Sequence, residues 1–95
     1  MDIIVLHVYY ACKTGMAPEF VRELKESGLQ SKVQAEDGCL QYDYHISCEL
    51  PDTVVLLEKW RDAAALEQHL AQPHMALIGK VKERFVDSTR LEKFA

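Results

Sequence analysis

The sequence predicts an α+β domain in the order β-α-β-β-α-β, with an antiparallel sheet and its helices gathered on one face. Three observations lead there. Apolar residues recur at period two near the amino terminus and in two runs at mid-chain, which is the spacing of strands. Between the first and second of these runs, and again after the third, they recur every three or four residues, which is the spacing of helices. The two mid-chain strands are joined by Cys48-Glu-Leu-Pro-Asp52, a link too short for a crossover, so they pair as an antiparallel hairpin.

Taken in order, Asp2 to Cys12 carries Ile3, Val5 and Tyr9 on one face and Ile4, Leu6, Val8 and Tyr10 on the other, as in a strand buried on both sides. Lys13-Thr-Gly15 is a turn, and Pro18 suits the first turn of a helix whose Glu19 and Glu23 lie near its positive end. That helix is expected to run on as one element, with Phe20, Leu24, Ser27, Ser31 and Ala35 along a stripe. Its second half is small and polar, so it either lies over solvent or leaves room for a ligand. Glu36-Asp-Gly38 closes it. Cys39 to Ser47 alternates, with Leu40, Tyr42, Tyr44 and Ile46 on one face and Gln41, Asp43 and His45 on a wetter one. Thr53 to Trp60 places Val54, Leu56, Glu58 and Trp60 together and Val55, Leu57 and Lys59 opposite them. Asp62 is placed to cap a helix from Ala63, which aligns Leu66, His69 and Leu70 and turns His69 inward. Gln72-Pro73 breaks the chain, and His74, Ile78, Val81 and Phe85 share a stripe on the next helical segment. Val86 to Phe94 is a more charged strand, suited to an edge or a partner-facing arm. The order is the split-βαβ arrangement of ferredoxin-like folds.

Composition narrows the classes of function. A chain of 95 residues with 48% hydrophobic content forms one domain, residues 1–95. Its net charge of −4, without a lysine and arginine cluster, argues against a nucleic-acid partner. Cys12, Cys39 and Cys48 form no C-x-x-C pair and leave an odd thiol, which fits free cysteines in a cytoplasmic protein. The apolar run Ile3 to Val8 is too short to span a membrane and lacks the basic flank of a signal peptide. The first strand and the Val55 and Leu57 side of the third are apolar on the face that helices leave bare. Such a patch calls for cover, and a face-to-face homodimer is the simplest.

Among chemistry-bearing residues, His7, His45, His69 and His74 match no standard metal spacing, so no metal ligand is assigned. The cysteines lack a neighbouring basic pattern that would make a thiolate, and no phosphate-binding or dinucleotide fingerprint is present. Glu58 stands out, because a carboxylate on an apolar strand face must find a partner, such as Lys59 or Arg61, or hold its proton more tightly. Trp60 taken singly reads as a core residue, and His69 and His74 taken singly read as hydrogen-bonded core or helix-end residues.

Together they form a pattern. Glu36-Asp-Gly-Cys-Leu-Gln-Tyr42, then Leu57-Glu-Lys-Trp-Arg-Asp-Ala-Ala-Ala-Leu-Glu-Gln-His69 and Gln72-Pro-His74, resembles the antibiotic biosynthesis monooxygenase (ABM) domain family across nearly the whole chain. The resemblance implies a dimeric α/β barrel. It also implies an enzyme that oxidises a quinol-like or polycyclic phenolic molecule with dioxygen as co-substrate and no prosthetic group. In that scheme Glu58, His69 and His74 are the catalytic candidates, one of them accepting the substrate proton, and Trp60, Tyr44 and Phe20 are the substrate-binding ones. All of Glu58, Trp60, His69 and His74 are expected to border one cavity. Haem-degrading relatives use an Asn, and this chain contains none. Two alternatives stay open: an isomerase of a small phosphorylated sugar or signalling compound, and a non-catalytic dimeric ligand-binding or stress-response module.

Overall fold

A computed structural model describes residues 2–95. The elements are β1 (Ile4–Cys12), α1 (Ala17–Glu26), α2 (Leu29–Gln34), β2 (Cys39–Ile46), β3 (Thr53–Trp60), α3 (Ala63–Leu70), α4 (His74–Phe85) and β4 (Val86–Lys93). The four strands form one antiparallel sheet in the order β2-β3-β1-β4. This is the expected ferredoxin-like topology, with β2 and β4 as its edges.

Alternation sets the two faces of the sheet. Ile4, Leu6, Val8, Tyr10 and Cys12 of β1 and Val54, Leu56, Glu58 and Trp60 of β3 are all buried beneath the helices. Strand register aligns Tyr42, Glu58, Leu6 and Lys93 in one row on that side, with Tyr44, Leu56, Val8 and Leu91 in the next. Phe20 and Leu24 of α1, Val33 of α2 and Ile78, Val81 and Phe85 of α4 close the core over it. On the opposite face Val5, His7, Tyr9, Val55 and Leu57 stay half-buried in the single chain. Phe94 lies 4.4 Å from the His7 ring there, and the Arg90 guanidinium stands 4.1 Å over Tyr9.

Three sequence expectations are corrected. The first helix is two, because Gly28 takes a left-handed φ of 81° and restarts the chain with a new phase. Leu29, Gln30 and Val33 are therefore the buried residues, while Ser27, Ser31 and Ala35 are exposed, Ala35 at the wall of an outer cleft. Leu40 is not on the apolar face of β2. The register with β3 skips from Cys39 to Gln41, so Leu40 is the extra residue of a bulge and is exposed. Leu70 does not share His69's burial, since it ends α3 and is 62% exposed. Among the described residues no helix is long and apolar enough to cross a membrane.

Candidate active site

A cavity of about 370 Å³ lies between the helix-facing side of the sheet and the α3–α4 hairpin. Leu6, Val8, Leu66 and Ile78 give it apolar walls, Tyr10 and Tyr42 give it aromatic ones, and Glu58 and His69 bring chemistry to it. The volume is within the range of small-molecule sites.

Glu58 arrives there because period two puts it on the same side as Leu56 and Trp60. It is 7% exposed and accepts a hydrogen bond from the Trp60 indole Nε1 at 2.9 Å. Neither expected cation reaches it: Lys59 points to the other face, and Arg61 pairs with Asp37 and Asp62. Burial raises the Glu58 pKa above its ordinary value, opposed by the indole hydrogen bond and by His69. Tyr10 and Tyr42 have their pKa values pushed far up, chiefly by burial, so both walls remain neutral phenols. Tyr44, which donates to the Tyr42 hydroxyl at 3.4 Å, is pushed up to about 12.

His69 is set by the start of α3. Asp62 accepts the Ala65 backbone N–H at 2.8 Å, an N-cap that begins the helix at Ala63 and turns His69 inward to 2% exposure. Its ring stacks on Trp60, with centroids 4.5 Å apart. Its Nδ1 lies 3.1 and 3.0 Å from the two carboxylate oxygens of Glu36. Glu36 Oε2 also takes a 2.7 Å contact from His74 Nε2. An ionised carboxylate only accepts, so each imidazole nitrogen facing Glu36 carries hydrogen. For a neutral ring this leaves the lone pair of His69 on Nε2. Every enclosed side-chain polar atom among the described residues has a partner. His69 Nε2 has none there, so it is open to the cavity that His69 lines.

The expected single cavity is thereby divided. Glu58 and His69 share the inner one. Trp60 is fully buried behind His69, off the wall, and His74 opens instead onto an outer cleft of about 350 Å³ with Lys32, Glu36 and Gln72. Phe20 and Tyr44 are also off the wall. Phe20 is fully buried with Tyr10, Tyr44 and Phe85 around it at ring distances of 5.4, 6.3 and 6.1 Å. In place of these rings the structure brings Tyr10, Tyr42, Lys82 and Lys93 to the cavity, and Glu36 behind it. One signal for Glu36 was available: a carboxylate just past a helix carboxyl terminus opposes the dipole and needs a cationic or donor partner. Among the described residues no group of three His, Cys, Asp or Glu side chains is placed to hold a metal. Cys39 is pushed up to about 11, first by burial, which disfavours a thiolate.

A model of the family described as antibiotic biosynthesis monooxygenase matches residues 3–79, and the chain belongs to that family. The Bacillus subtilis (strain 168) protein named "Putative monooxygenase YcnE" is 35% identical over 82 residues, 85% of this chain and 84% of that one. "Probable quinol monooxygenase YgiN" of Escherichia coli (strain K12) is 37% identical over 51 residues, 45% of this chain and 49% of YgiN, about half the length of each. The crystal structure of PA3566 from Pseudomonas aeruginosa superposes with a TM-score of 0.84 at 29% identity, covering 99% of this chain and 93% of that one.

Proposed function

We propose that the protein is a cofactor-independent monooxygenase that oxidises a quinol-like or polycyclic phenol with dioxygen. The observation that carries this reading is that His69, held by Glu36, and a buried Glu58, whose pKa burial raises, line one apolar, aromatic-walled cavity. The family and the names of its relatives support the reaction class.

His69 Nε2 takes the phenolic proton, and Glu36 stabilises the imidazolium as the carboxylate of a base dyad. His74, which shares Glu36 Oε2 with His69, links that dyad to the outer cleft, a route by which the proton leaves. The phenolate, desolvated by the apolar walls, supplies an electron to dioxygen, and the radical pair joins at a ring carbon as a peroxide. Glu58 protonates the distal oxygen. The peroxide collapses, losing that carbon's hydrogen as a proton and the distal oxygen as water, and leaves a carbonyl. For a quinol the balance is quinol plus dioxygen to hydroxyquinone plus water. All four electrons come from the substrate, so no reductant or prosthetic group is needed. The same reading has the protein acting as a cytoplasmic homodimer through the helix-free face, supported by its free cysteines and by half-buried Val5, Val55 and Leu57.

The test is oxygen uptake by the purified protein, without added cofactor, against a panel of quinols and polycyclic phenols. One labelled oxygen atom per turnover should enter the product, and His69→Gln should lower turnover by roughly 100-fold or more. Absence of uptake with every member of the panel overturns the reading.

A further inference from the structure

The cavity has an end that the proposed chemistry leaves unused. Register places Glu58, Leu6 and Lys93 in one row on three neighbouring strands, and two strand spacings of about 4.8 Å set Glu58 and Lys93 about 10 Å apart at the backbone. From α4, Lys82 reaches the same cavity, its Nζ 5.3 Å from the centre of the Tyr10 ring. Neither lysine has an ion-pair partner among the described residues, where every Arg-based or His-based pair lies elsewhere. Glu83 and Asp87 share a separate cleft with Lys82 and do not line the cavity. Glu58 is the one carboxylate on the cavity wall among the described residues.

The surroundings make this local sign notable. The chain carries 15 acidic against 11 basic side chains, yet among the described residues neither lysine at this end of the apolar cavity is held in an ion pair, although Lys82 acts through space on Glu58 and borders a separate cleft with Glu83 and Asp87. Lys82 is half-buried beside this apolar, partly enclosed space and is screened less than the exposed Lys93, and both ammonium groups favour an anion entering it.

We propose that the substrate carries an anionic substituent, held by Lys82 and Lys93 while its phenolic hydroxyl meets His69 and Glu58. This rests on the proposed oxidation of a phenol and narrows its substrate to an aromatic acid. A cavity of about 370 Å³ accommodates two fused rings, with the phenol toward His69 and Glu58 and the anion toward the lysines. Carboxylate and phosphate share the required chemistry.

The experiment is anaerobic equilibrium binding, followed by fluorescence of Trp60, the chain's only tryptophan, which stacks on the cavity-lining His69. The probes are 5,8-dihydroxy-2-naphthoate, whose carboxylate lies on the ring opposite its hydroxyls, naphthalene-1,4-diol, and 5,8-dihydroxy-2-naphthyl phosphate. The naphthoate should bind about tenfold tighter than the diol at low salt, the yield of two partly screened charge contacts, and the advantage should shrink as salt rises. A Lys82→Met, Lys93→Met double variant should lose that advantage and bind the diol as before. Naphthyl phosphate binding tighter than the naphthoate supports the same subsite with phosphate as its anion. Equal binding of naphthoate and diol by the unaltered protein, or an advantage that persists in the double variant, overturns the proposal. Oxygen uptake measured in parallel separates the two readings. Anion preference without uptake removes the oxidation and keeps the subsite, whereas uptake without anion preference does the reverse.

Discussion

At Glu58 the alternation of β3 forces a carboxylate onto the covered side of the sheet, and the side chain that meets it is an indole rather than a cation. One donated hydrogen bond does not offset the loss of water, so its pKa is raised, first by desolvation. The consequence for stability has a definite sign. Between the ordinary carboxylate value and the raised folded value the native state binds more protons than the unfolded chain, so stability falls as pH rises through that window. Glu58→Gln keeps an oxygen for the indole N–H and has no charge to bury. Urea unfolding should therefore find the variant gaining on the unaltered protein as pH rises from acid to neutral, and a difference constant with pH would refute this account. In the proposed oxidation the same substitution would remove the proton donor to the peroxide, so turnover should fall by roughly 100-fold.

Between helix and strand, the turn at Gly38 is what delivers Glu36 to its two imidazoles. Gly38 adopts a φ of 82°, and its carbonyl accepts the Arg61 backbone N–H at 2.8 Å, tying the end of the α2 segment to the start of α3. A Cβ added there would stand 2.5 Å from the Ala65 Cβ, closer than two carbons can pack. Gly38→Ala thus combines left-handed strain with overpacking and should cost about 2–4 kcal/mol. A lowered urea midpoint with an unchanged slope would register it. Gly28, by contrast, has open space around its missing Cβ, and only its backbone conformation argues for glycine.

At the scale of the whole molecule, the helix-free face of the sheet has no covering layer in the single chain, where Val5, His7, Tyr9, Val55 and Leu57 stay half-buried. Asp43, Leu57, His7 and Glu92 form one row on it, with Leu57 on a central strand. In the proposed homodimer Leu57→Lys places a charge within the apolar contact and should weaken association by about 2–5 kcal/mol. Sedimentation at micromolar concentration should show a dimer for the unaltered protein and monomer for the variant. A dimer undisturbed by the lysine, or an unaltered protein already monomeric, would count against this face.

Order and facing were legible from residues alone, because both follow from local backbone periods. Period two put Glu58 and Trp60 together, and the Asp62 cap turned His69 inward, before any long-range contact was considered. The periods of single elements could not foresee the Leu40 bulge or the new phase after Gly28, since an extra residue drops out of the alternation and a left-handed residue resets the phase of the helix that follows it. Nor could it tell a buried wall from a layer behind that wall. Trp60 lies on the predicted face yet sits behind His69, because the depth of a side chain depends on what packs over it. The Glu36 contacts reach 33 and 38 residues along the chain to His69 and His74. Helix packing against the registered strands closes those distances, and it brings Lys82 and Lys93 to one cavity from different elements. Sequence determined which residues face inward; the tertiary structure decided which of them meet, because facing is a property of one element and meeting requires at least two.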